Sequence, residues 1–203
     1  MIKKTFYNLP EEKRQRIIEA IMQEFASAST EKVSINRIIK AAKISRGSFY
    51  QYFDDKVDLV EVLAKSLLDF SLEGASAALQ YSNGDIFETY EKLFDLIAEF
   101  ADDKDKKTIL KNLFRNLRAN DDLISEYLSN RFHGFASLQD MSKQVNRSNL
   151  KYKSDDDVQL LTQILIQVLK NALFDVFVMG MDREKIRQTF LRKLEIIRTG
   201  AVE

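Results

Sequence analysis

Five side chains fall within one seven-residue run of this chain: the guanidinium of Arg46, the hydroxyl of Ser48, the phenols of Tyr50 and Tyr52 and the carboxamide of Gln51. Gly47 stands among them and strips the first turn of steric bulk. Bare backbone, hydroxyls and an arginine at the start of a helix suit close approach to phosphates and base edges, so the chemistry is recognition rather than bond making. Two short helices joined by a tight turn must position these groups. Ser34 is an N-cap ahead of Ile35, Ile38, Ile39 and Ala42, whose spacing gathers apolar groups on one helical face. Ala42-Lys43-Ile44 breaks that rhythm, and Ser45 is placed to accept the backbone N–H of Ser48 as the cap of a second helix. Phe49 and Phe53, four apart, turn inward with Ile44 against Ile38. Asp54 and Asp55 then stop this helix and cap a long one beginning at Lys56. A cation in a first turn opposes the helix dipole, and a phosphate partner would explain Lys56 there.

The rest of the composition bounds what surrounds this unit. The chain has 203 residues, 45% of them hydrophobic, with one proline, six glycines and no cysteine. That is enough to fill a core and too little turn chemistry for many short strands, so the expected class is all-α, with about nine helices. Without cysteine, disulfides, thiol catalysis and thiolate zinc sites are excluded, and a cytoplasmic location fits. No apolar run follows the first lysines, so no signal peptide is expected. The formal net charge is zero, but residues 1–56 carry 11 Lys and Arg against 7 Asp and Glu, and the remainder 20 against 24. The positive excess therefore sits in the segment that holds the helix-turn-helix.

Taken in order, residues 1–9 read as a short leader. Pro10, Glu11 and Glu12 open a helix running to about Ala28, with Ile17, Ile18, Ile21, Met22 and Phe25 inward and Lys13, Arg14, Arg16 and Glu24 outward. The run from Ser34 to Leu59 resembles the N-terminal DNA-binding domain of the tetracycline-repressor (TetR) family of bacterial transcription regulators. The match lies in Ser34, in Ile44-Ser45, in Arg46-Gly47-Ser48-Phe49-Tyr50-Gln51-Tyr52-Phe53 and in Asp54-Asp55-Lys56-Val57-Asp58-Leu59. The resemblance implies that Tyr50 and Lys56 bind backbone phosphates, that Arg46, Ser48 and Tyr52 reach into the major groove, and that Gly47 lets the backbone come close. It extends in some members to positions matching Asn36 and Arg37. The expected DNA-binding set is thus Ser34, Asn36, Arg37, Ser45, Arg46, Gly47, Ser48, Tyr50, Gln51, Tyr52 and Lys56. One departure is Lys43 at a turn position commonly glycine in the family; a left-handed residue with a Cβ costs about 1 kcal/mol there.

Beyond Gly74 the resemblance is architectural and periodicity carries the reading. The long helix fades near Tyr81 at the turn signal Ser82-Asn83-Gly84-Asp85, with Asp85 as the next cap. Helices follow through Phe87–Phe100, Ile109–Leu117 and Leu123–Phe132, and residues 140–157 read as a polar connection of low order. Asp155, Asp156 and Asp157 load the start of a helix apolar almost all round, Gly180 closes it, Asp182 caps the last helix and Gly200 ends that one. The polar interruptions Gln163, Gln167, Lys170, Asn171 and Asp175 argue against a membrane span.

The domains expected are a helix-turn-helix head over 1–55 and a helical ligand-binding and dimerisation domain over 56–203. Two apolar antiparallel helices suggest a four-helix homodimer interface through Leu165, Leu169, Leu173, Phe177, Ile186, Phe190, Leu194 and Ile197. Tyr90, Phe94, Phe114, Asn116, Phe132, His133, Gln167 and Asn171 are candidates for a ligand cavity, against the plainer reading of core packing or solvent exposure. His133 is the single histidine, so no histidine metal cluster can form, and the aspartate runs lack EF-hand spacing. No phosphate loop, nucleophile elbow or acid–base dyad is present, so neither an enzyme nor a cofactor is expected. The resemblance implies a homodimeric regulator, most often a repressor, that binds a palindromic double-stranded operator and is released by a small apolar or aromatic inducer. The alternative is a helical dimer that binds a ligand or a protein without DNA.

Overall fold

The computed structural model describes residues 2–27, 32–119 and 143–202, apart from the side chains of Leu68 and 115–119. Among the described residues there are nine α-helices: α1 Lys4–Tyr7, α2 Glu11–Ser27, α3 Ile35–Ala42, α4 Arg46–Tyr52, α5 Lys56–Tyr81, α6 Ile86–Phe100, α7 Lys104–Ala119, α8 Asp155–Phe177 and α9 Arg183–Ala201. The expected helix through Leu123–Phe132 lies outside the described residues. By contacts the chain forms two compact units, Met1–Leu68 with Ala101–Ala119, and Asp69–Phe100 with Asn120–Glu203.

In the first unit α2 packs against α3 and α7, α3 against α4, and α1 against α4. Its core joins Ile17, Ile21 and Phe25 of α2 to Ile38, Phe49, Phe53, Leu59 and Leu113, every one of them at most 1% exposed. The leader belongs to this core, contrary to the sequence reading, because Ile2 and Phe6 are buried in it. At the start of α5, Asp55 Oδ1 accepts the Val57 N–H at 2.7 Å, and the buried Asp58 accepts the Asp54 N–H at 2.6 Å.

In the second unit α8 packs on α9 and α6, and α9 also on α6. Phe94 and Phe190 stack at 5.1 Å between centroids, and Arg187 of α9 bridges Asp95 at 2.7 Å and Glu91 at 3.2 Å on α6. Those two carboxylates, Asp95 foremost, raise the Arg187 pKa further above its ordinary value. Each helix start carries a local cap: Asp85 Oδ1 accepts the Phe87 and Glu88 N–H groups, Asp182 Oδ1 that of Lys185, and Ser154 and Asp157 form a capping box on α8. The α9 helix runs through Gly200 to Ala201 rather than ending at the glycine, since Val202 N–H still finds Arg198 O at 2.9 Å.

The segment expected to be a connection of low order is tied down wherever it is described. Val145 and Leu150 are buried, Leu150 pairs with Val202 in an antiparallel bridge, and Lys151 N–H donates to Ala201 O at 2.9 Å. Asn146 N–H donates to Gly84 O at 2.9 Å. This strap requires a glycine at 84. Gly84 has φ of +83°, and a Cβ there would meet Asn146 N at 2.6 Å and Gln144 O at 2.7 Å, both backbone atoms. Gly84→Ala therefore combines a left-handed penalty with a backbone clash and is expected to destabilise the protein by about 3 kcal/mol, read as a shift of the urea midpoint.

Candidate nucleic-acid interface

The turn between α3 and α4 has the geometry its sequence requires. Ser34 Oγ accepts the Arg37 N–H at 3.4 Å and opens α3. Lys43 closes it at φ 53°, ψ 47°, in the left-handed region, with its N–H on Lys40 O. Ser45 Oγ then accepts the Ser48 N–H at 3.0 Å and lies 2.9 Å from Ser48 Oγ. Phe49 and Phe53 are fully buried, which fixes the rotation of α4 and leaves Arg46, Gly47, Tyr50 and Gln51 exposed. The Arg46 guanidinium lies 5.9 Å from the centre of the Tyr50 ring. Ser34, Ser48 and Lys56 are half-buried, while Asn36 and Ser45 are exposed.

Two expected DNA-facing residues make contacts within the head: Tyr52 is buried, and Arg37, though exposed, pairs with Glu24. Tyr52 is 5% exposed, packed beside Phe6 and Phe53 with the Lys13 ammonium 5.7 Å from its ring centre. Its place three residues after Phe49 puts it on the buried face of α4, so it is a core residue and not a groove-facing one. Arg37 directs Nε and Nη2 onto Glu24, with contacts of 2.8 Å to Oε2 and 2.5 Å to Oε1, so its charge is engaged within the head.

Glu24 is the residue that sequence reasoning misplaces. It is 5% exposed rather than facing solvent, and Oε1 also accepts the Ser34 N–H at 2.8 Å. A usable signal exists in its spacing, three after Ile21 and seven after Ile17, which sets it on the apolar stripe of α2. The Arg37 hydrogen bonds, above all, hold its carboxyl below the ordinary value of 4.5. Arg16 likewise turns inward, donating from Nε to Ala42 O at 3.0 Å at the end of α3.

Five of the eight candidate ligand residues have described side chains. Tyr90 is buried and donates to Thr162 O at 3.3 Å, burial pushing its phenol above the ordinary pKa, and Phe94 is consumed by its stack on Phe190. Both are packing residues of the second unit. Phe114 is buried in the other unit, while Gln167 and Asn171 are exposed on α8 and 3.4 Å from each other. Asn116, Phe132 and His133 lie outside the described side chains. Among the described residues, a cavity of about 180 Å³ lies by Asp85, Phe87, Asn146, Leu150 and Arg198, and an open groove of about 460 Å³ by Glu91, Gln188, Arg192 and Glu195. Neither includes a candidate ligand residue.

Two family descriptions match the chain: "Bacterial regulatory proteins, tetR family" over residues 17–63, and "Tetracyclin repressor-like, C-terminal domain" over residues 85–201. The chain belongs to the TetR family. Among curated relatives, the Escherichia coli (strain K12) protein named "Probable acrEF/envCD operon repressor" is 29% identical over 126 residues, a match spanning 60% of this chain and 56% of that protein. The Staphylococcus aureus (strain MRSA252) protein named "HTH-type transcriptional regulator SAR2658" is 28% identical over 81% of both chains. A TetR-family transcriptional regulator from Pectobacterium atrosepticum has the same fold, with a TM-score of 0.64 at 19% identity over 95% of each chain.

Within this TetR-family chain the expected dimer residues are placed differently from the sequence reading. Leu165, Leu169, Leu173, Phe177, Ile186, Phe190 and Leu194 are all buried inside a single chain, 8% exposed at most, and Ile197 is half-buried. All but Ile197 belong to the core that α6, α8 and α9 build within one chain. The apolar residues that α8 and α9 leave exposed are Leu160 at 58%, Ile164 at 51% and Ile196 at 59%.

The Glu24 pair yields a test with a defined pH sign. A carboxyl whose folded pKa is depressed adds stability that is fully present above its unfolded value, about 4.5, and is lost as pH falls through the lower folded value. Glu24→Gln, which breaks charge-assisted bonds to Arg37, is expected to cost about 2 kcal/mol at pH 7 in urea unfolding. The gap between the two proteins should close as the titration moves below pH 4.5.

Proposed function

We propose that this chain is a homodimeric, DNA-binding transcriptional regulator, a repressor that a small apolar or aromatic molecule releases from a palindromic operator. The observation that carries the reading is the α3–α4 unit: Phe49 and Phe53 are locked in the core, and the edge they leave outward holds Arg46, Gly47, Ser48, Tyr50 and Gln51. A short helix anchored in this way offers a base-reading arginine and phosphate-reaching hydroxyls without burying them. Lys56 begins α5 beside this unit and supplies a second phosphate contact. The names of the E. coli and S. aureus relatives, an operon repressor and a helix-turn-helix regulator, support the same reading. A cytoplasmic location and the absence of enzymatic activity follow from it.

Retardation of a duplex taken from upstream of the chain's own gene tests the core of this proposal. The expected result is a shift that weakens steeply with salt; a folded protein that shifts no duplex would sink it. The roles divide further. Tyr50→Phe and Lys56→Ala are expected to weaken all sequences alike, Lys56→Ala reducing the salt slope by about 1. Arg46→Ala should cost about 1–3 kcal/mol on the operator and relax the preference at one base position, measured by binding to point-mutated duplexes.

Dimerisation in this proposal uses the outward stripe of α8 and α9, with Leu160, Ile164 and Ile196, in place of the buried residues that periodicity suggested. A charge introduced there is tolerated by a single chain and excluded from a pair. Ile164→Glu should raise the dimer dissociation constant by about thirtyfold or more in sedimentation equilibrium, with helical content unchanged.

A further inference from the structure

Helix α4 is closed at its C-terminal end by residues that lie ahead of residues 17–63, the segment matched by the family's N-terminal description. A helix leaves its last carbonyl groups without intrahelical partners, and in a helix of seven residues these form a large part of the whole. Here three consecutive carbonyls each receive a donor from the N-terminal segment. Lys3 Nζ donates to Tyr50 O at 2.7 Å, Thr5 Oγ1 to Gln51 O, and Lys3 N–H to Tyr52 O at 2.9 Å. The Lys3 ammonium also meets Asp54 Oδ1 at 2.6 Å, just beyond the helix. Phe6, 3% exposed, drives the segment into place with its ring 5.0 Å from that of Phe53 and 6.3 Å from that of Tyr52.

We propose that Lys3 and Thr5 are positioning residues for DNA recognition, a clamp that holds the last turn of α4 and so fixes how its exposed edge meets a duplex. The proposal rests on the DNA-binding reading above. Tyr50 and Gln51 are both clamped through their own carbonyls and exposed through their side chains. A last turn that frays displaces those two side chains while Arg46 and Ser48, held by the Ser45 cap, stay in place. The Lys3 ammonium acts inside the head, where Tyr50 O and Asp54 engage two of its three donors. It therefore changes affinity without being a phosphate contact.

The test compares the wild-type chain with Lys3→Met, Thr5→Val, the double variant, Lys3→Arg as the conservative replacement, and Lys4→Met as a control that removes a neighbouring charge. Affinity is measured over a range of salt on a duplex enriched by the wild-type chain from a random-sequence pool, and amide hydrogen exchange of residues 50–53 is followed without DNA. The double variant is expected to bind about tenfold more weakly with an unchanged salt slope, and to exchange faster in the last turn of α4. Lys3→Arg should restore most of the affinity, and Lys4→Met should leave the exchange as it is. A salt slope that falls by about 1 in Lys3→Met with exchange unaltered makes Lys3 a phosphate contact and overturns the clamp. Unchanged affinity in the double variant overturns it as well. A wild-type chain that enriches no duplex overturns the DNA-binding reading itself, a failure told apart because hydrogen exchange needs no DNA.

Discussion

A helix of seven residues containing a glycine has no independent stability in water, because the cost of nucleating it exceeds what its few hydrogen bonds return. Everything α4 offers to a partner therefore depends on what holds it from behind. Phe49 and Phe53 are fully buried against Ile38, Phe25 and Ile21, and burying an aromatic side chain contributes about 2–3 kcal/mol. Tyr52 adds a third aromatic to that face. With i, i+3 and i+4 inward, the helix has no rotational freedom left, and the outward edge is determined by subtraction. The exposed residues need only be compatible with a helix. The buried ones decide where they point.

The same economy governs charge in the head. A buried carboxylate is costly unless its oxygens are fully engaged, and Glu24 meets that condition with the Ser34 N–H and the Arg37 guanidinium. The result joins α2 to the first turn of α3 at the point where the chain re-enters helix. Arg16 does the matching task at the other end of α3 through Ala42 O, and Arg14 donates to Tyr7 O. Several of the head's cations are thus structural donors to carbonyls and a carboxylate, so a net excess of positive charge overstates what is presented to a polyanion. That is why a charge count over residues 1–56 does not identify which cations face outward.

The features readable from sequence are those whose partners lie within four residues. Ser34, Ser45, Asp85 and Asp182 cap as their positions demand, and Lys43 takes the left-handed conformation because the turn leaves no other. The all-α class follows from the same local chemistry. What escapes is set by distant partners. Glu24 looks like a solvated acid until Arg37 and Ser34 are folded over it, Phe6 looks like part of a leader until Phe53 meets it, and 143–151 looks unstructured until Gly84 and Ala201 accept its N–H groups. Tyr52 had a readable signal in its spacing from Phe49, overridden by the expectation that its aligned position faces a groove.

Helix α8 carries the instructive ambiguity, since apolar residues nearly all round do not say which side meets its own chain. By length and hydropathy it could cross a membrane, yet Leu165, Leu169, Leu173 and Phe177 are spent on α6 and α9. The stripe left outward runs Leu160, Gln163, Ile164, Gln167, Asn171, at i, i+3, i+4, i+7 and i+11. Three carboxamides on such a face are poorly suited to lipid, which cannot satisfy their donors, and two large aliphatic residues more than half exposed are poorly suited to water. In the proposed dimer a second protein surface covers this stripe, Leu160 and Ile164 included. The face of α8 that periodicity made most conspicuous is the one already used within the chain, on α6 and α9.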